Sequence, residues 1–122
     1  MAAPNIVAVT SIYGKSLGAA LSTTVTTDIL TCPSNKVLKV NSIIVANVDG
    51  SSSADATVYF YDNSASTRYQ IASTVAVPAD TSLVILDKNN SMYLEESDQI
   101  EAGASASGDL VITISYEEID DA

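Results

Sequence analysis

From Val37 to Val48 the chain reads VLKVNSIIVANV. Its even positions are Leu38, Val40, Ser42, Ile44, Ala46 and Val48, almost wholly apolar. The odd positions mix Val37, Ile43 and Val45 with Lys39, Asn41 and Asn47. A period of two predicts a half-buried strand whose even residues, Ile44 among them, face the core. The β-branched content agrees, because Val and Ile suit a pleated surface. Turn residues close both ends, Cys32-Pro33-Ser34-Asn35 before and Asp49-Gly50-Ser51 after. Near the C-terminus Leu110, Ile112, Ile114 and Tyr116 alternate with Val111, Thr113, Ser115 and Glu117, which predicts a second clean strand with Ile112 in the core.

The remaining segments follow the same logic. Asn5 to Tyr13 carries Ile6, Val7, Val9 and Ile12 without clean alternation and reads as an edge strand or an extended arm. Gly14 to Leu21 is small and weakly patterned, and its glycines argue against a firm strand. Strands are expected at Thr23–Leu30, Ala56–Tyr61 and Thr67–Val77. LVIL at 83–86 is apolar on both faces and is expected to be central in its sheet. Met92–Leu94 and Gln99–Ala104 follow, separated by polar turns. No segment repeats apolar residues at helical spacing over more than about two turns. The fold class expected is therefore all-β, a single-domain antiparallel β-sandwich, jelly-roll-like. Within it residues 1–22 form an N-terminal arm or edge strand, 23–116 the sandwich body and 117–122 an acidic tail that frays.

Charge narrows the partners. Acids outnumber bases 15 to 5 in 122 residues, a net charge of −10, and the five bases are scattered. Tracking nucleic-acid phosphates or an anionic membrane needs clustered Lys and Arg, so neither partner is expected. Apart from its ends the chain is apolar enough to bury a real core. A lone cysteine, Cys32, cannot close an internal disulfide and reads as a small buried residue. MAAPNIVAV lacks the basic and long apolar regions of a secretory signal, and no apolar run approaches the ~20 residues of a membrane span. The expected compartment is cytosol-like.

Catalytic chemistry is sparse. There is no histidine, which removes every imidazole-based triad and metal site. Gly14-Lys15-Ser16 resembles the end of a phosphate-binding loop, but Val9 stands where that loop needs glycine. Asp87-Lys88-Asn89-Asn90-Ser91 resembles the start of a calcium loop, with Met92 where the sharp-turn glycine belongs. Asn89-Asn90-Ser91 fits a glycosylation acceptor only in a secreted chain. Glu95, Glu96, Asp98 and Glu101 form the densest acid group before the tail, and read as a solvated loop rather than a carboxylate pair for glycoside hydrolysis. No catalytic residue, metal site or cofactor is expected. Tyr59 and Tyr61 lie opposite Val58 and Phe60 on their strand, where aromatics either mark a contact surface or pack against a second sheet. With Ile6, Val7, Val9 and Tyr13 they are the expected interface residues.

A resemblance adds to this reading. The run from Leu30-Thr31-Cys32-Pro33 through VLKVNSIIVANVDG, then ATVYFYD, Val77-Pro78-Ala79-Asp80, LVILDKNNSMYLEESDQIEAGASASGDL and the closing ITISYEEI resembles small virion structural proteins of tailed bacteriophages. Those infecting marine cyanobacteria also share the MAAPNIV-like start. The resemblance implies a β-sandwich building block of head or tail, found in the virion after synthesis in the host cytoplasm. Its implied partners are other copies of itself, as a homo-oligomer, and other virion proteins. Head decoration or cement is the first expectation, with neck or tail placement beside it. A receptor- or carbohydrate-binding module of a fibre or adhesin is the alternative. The family's loop reads Leu-Glu-Glu-Gly-Asp, and here Ser97 stands at the glycine.

Overall fold

A computed structural model describes residues 11–120. Its strands are β1 Ser11–Ala20, β2 Asp28–Thr31, β3 Lys36–Asn47, β4 Ala54–Asp62 and β5 Thr67–Val77. They continue with β6 Ser82–Leu86, β7 Met92–Leu94, β8 Gln99–Ala104 and β9 Leu110–Asp120. Among the described residues the only helical piece is the 3₁₀ turn Lys88–Asn90. One sheet runs β1-β9-β3-β6, with β7 also on β3, and the other runs β2-β8-β4-β5. Every pairing is antiparallel.

The pairing has a simple order. β4 pairs with β5, β3 with both β6 and β7, β2 with β8, and β1 with β9. The chain is thus one long hairpin, its tip at β4–β5, whose two arms stay paired while the whole ribbon folds over into two sheets. That winding is the jelly roll, so the expected all-β sandwich is what the chain forms. Leu38, Val40, Ile43, Val45, Ile112 and Ile114 from the first sheet meet Val58, Ile100, Ala102 and Ala104 from the second, all of them buried.

The organising strand departs from simple alternation at one residue. Val40 lies opposite Tyr116, but Ser42 lies opposite Ser115, so Asn41 is an extra residue in β3. Such a bulge reverses which side later residues face. Leu38 and Val40 point inward on even numbers, whereas Ile43, Val45 and Asn47 point inward on odd ones. Ile44 is therefore a correction to the sequence reading: it is 36% exposed while Ile43 is fully buried. Ile112 stays in the core, because β9 keeps its alternation.

Other boundaries also differ from expectation, each for a tertiary reason. The glycine-bearing stretch Gly14–Ala20 is strand after all, since β9 supplies an unbroken partner from Ser11 to Ala20. The strand expected at 23–30 shrinks to β2. The preceding turn folds onto β8, with Ala102 N donating to Thr27 O and Ala104 N to Ser22 O. Gly103 makes that crossing possible, because a Cβ there would stand 2.5 Å from Val25 Cα. LVIL is a border strand rather than a central one, and Val84 is 56% exposed. Residues Glu117 to Asp120 are not a frayed tail but the end of β9. Their acids have partners there: Glu118 with Lys15 and Lys36, Asp120 with Lys36, and Glu117 with Asn41 Nδ2. Ile119 between them is buried.

Candidate functional site

The outer face of the β2-β8-β4-β5 sheet carries a grouping of aromatic and charged side chains. β4 places Val58 and Phe60 inward, which leaves Tyr59 and Tyr61 outward and half-buried. Register then sets their neighbours. Tyr59 lies between Glu101 and Gln70, and Tyr61 between Gln99 and Arg68. β2 completes the two rows with Asp28 beside Glu101 and Thr31 beside Gln99.

One arginine ties the rows together. Arg68 Nε donates to Glu101 Oε1 at 2.6 Å and its terminal nitrogen to Oε2 at 3.4 Å. The guanidinium carbon stands 5.0 Å from the Tyr61 ring centroid, within cation–π range. Glu101 is only 3% exposed although it points away from the core. Its hydrogen bond raises the arginine pKa beyond its ordinary value, so the guanidinium stays charged at any physiological pH. With both carboxylate oxygens occupied, Glu101 acts as an anchor that holds the guanidinium near the Tyr61 ring. The arrangement suits non-covalent contact: an aromatic and guanidinium surface on a β-sheet.

The other expected interface residues do not join it. Tyr13 lies on β1 in the other sheet and is 54% exposed. Ile6, Val7 and Val9 lie outside the described residues. The acid group disperses into structural work. Asp98 is buried and accepts from Asn63 N and Glu95 N at 3.0 Å each, and Glu96 accepts from Asn35 N. Lys15 sits mid-strand on Glu118 rather than in a phosphate loop. Asp87 caps the 3₁₀ turn through Asn89 N. Burial pushes the Cys32 thiol up to about 11, which leaves it protonated and unreactive at neutral pH.

No group of three or more potential metal ligands forms among the described residues, and they enclose no cleft. Arg68 was not singled out by sequence reasoning, and Glu101 entered only within an acid group read as a solvated loop, which its burial corrects. Counting back from the Asp62–Ser66 turn puts Arg68 opposite Tyr61. Glu101 comes from β8, on the other side of β4, and local counting does not reach it. No protein-family model and no curated protein sequence matches the chain.

Proposed function

We propose that the chain is a structural subunit of a tailed-bacteriophage particle, a jelly-roll block that self-associates on or in the virion. Head decoration or cement is the preferred placement, with neck or tail components in the same class. The observation that carries the reading is the Tyr59–Tyr61–Arg68 surface anchored on buried Glu101. It is rich in the residue types that dominate protein contacts. Jelly rolls serve in capsids, a fold-level analogy that adds weight without deciding function.

The same fold serves in lectins, and outward tyrosines keep a receptor- or sugar-binding module as the second reading. Sugar stacking requires an open ring face, whereas Tyr61 already carries the Arg68 guanidinium. Antibodies raised against the folded chain should decorate purified particles in electron micrographs. Tyr61→Ala and Arg68→Ala chains should rebind stripped particles more weakly than the parent. Failure to label particles, combined with retention on immobilised glycans that Tyr59→Ala abolishes, would overturn the virion reading in favour of the second.

A further inference from the structure

Sheet borders invite pairing with other chains unless they are short, bulged, charged or covered. Three of the four borders here are blunted. β2 has four residues and a register shift, and β6 has five with a shift against β3. β5 is long but carries two shifts against β4, with Thr74 left-handed at φ 45°. β1 has none of these devices. Its ten residues keep unbroken register with β9, it holds no proline, and no described strand lies on its other side. In a chain of net charge −10 it also holds no acid, Lys15 being its one charge. Ile12 and Tyr13 are each 54% exposed.

We infer that β1 is the pairing border for a second copy of this chain, joined antiparallel about a two-fold axis so that the two sheets run on as one. A two-fold between antiparallel strands stands perpendicular to the sheet, so directly opposed residues have the same parity. Two central registers then overlap most of β1. One opposes Lys15 to Lys15, like charges face to face. The other centres on Ser16 and opposes Lys15 to Leu17, Tyr13 to Ala19, Ile12 to Ala20 and Gly14 to Gly18. There Tyr13 and Ile12 meet alanines and the two ammonium groups are offset, so Ser16 lies on the axis. The inference rests on the self-association part of the proposed function, not on the particle.

The test uses the full chain. Ser16→Cys should form a covalent dimer under diamide, whereas Thr113→Cys, exposed on the adjacent strand, should not. Buried Cys32 stays silent in both. Ser16→Lys opposes two ammonium groups on the axis and should abolish the dimer in sedimentation while the melting curve holds. Because it also lowers the net negative charge, a general charge effect would act in the opposite direction. A parent chain that sediments as a monomer at every concentration overturns both this pairing and the self-association reading. An oligomer that survives Ser16→Lys without a Ser16→Cys cross-link overturns the β1 pairing alone. Cross-linking by a chain that antibodies fail to find in particles supports the pairing and removes the virion role.

Discussion

Asn41 is one extra residue in β3, and it decides which isoleucine of the Ile43-Ile44 pair supports the core. Ile43 and Ile112 are both fully buried, so truncating either to alanine should cost about 2–5 kcal/mol in urea or thermal unfolding. Ile44→Ala should cost less than about 1 kcal/mol, as exposed substitutions do. Equal costs at 43 and 44 would mean the bulge lies elsewhere. A second residue-scale effect sits in the turn at Ser97. Ser97 adopts φ 69°, the left-handed region, while its N–H donates to Cys32 O. Left-handed geometry costs a side-chain-bearing residue roughly 1–2 kcal/mol, and glycine's extra unfolded freedom returns about 0.5–1. Ser97→Gly should therefore raise stability by up to about 1 kcal/mol, read as an upward shift in melting temperature.

At the scale of elements, the last turn of β9 shows how an acidic run becomes a strand. Lys36 bridges Glu118 and Asp120 at 3.5 and 2.9 Å, and Lys15 takes the other oxygen of Glu118. These contacts bind β1, β9 and β3 at one end of the sheet. The hydrogen bond to Asp120 raises the Lys36 pKa above its ordinary 10.5. A raised amine pKa means the folded state holds the proton more tightly than the unfolded state. Its contribution is then complete below 10.5 and fades as pH rises through the folded value. Lys36→Met should accordingly lower stability at neutral pH and flatten the alkaline limb of a stability–pH curve. An alkaline limb unchanged by the substitution would detach this amine from the strand's end.

For the molecule as a whole, the net charge of −10 sets the conditions for assembly. Copies brought together place like charges near one another, and salt screens exposed charges beyond about 8–10 Å at physiological strength. Self-association should therefore strengthen from low to moderate salt, and again with divalent cations. Sedimentation velocity across a salt series reads this directly. Association that stays flat or falls with salt would point instead to a basic docking surface on a partner. The acid-free β1 border offers the approach with least repulsion, which links the charge distribution to the pairing inferred above.

Alternation in Val37–Val48 and Leu110–Glu117, with turn residues between short apolar runs, was enough to specify an all-β sandwich. Those signals are local, each residue reporting the two faces of its own strand. The Tyr59–Tyr61 face was legible for the same reason. What local signals cannot carry is relative register. The Asn41 bulge exists only against β9, the firmness of β1 only through that same partner, and the exposure of LVIL only because no described strand lies beyond β6 in its sheet. Glu101 is the sharpest instance, an acid in a solvated-looking run that becomes buried when folding brings β8 beside β4 and Arg68 over it. Period-two patterning chose the layers, and long-range pairing chose the register, the borders and which side chains share an outer face.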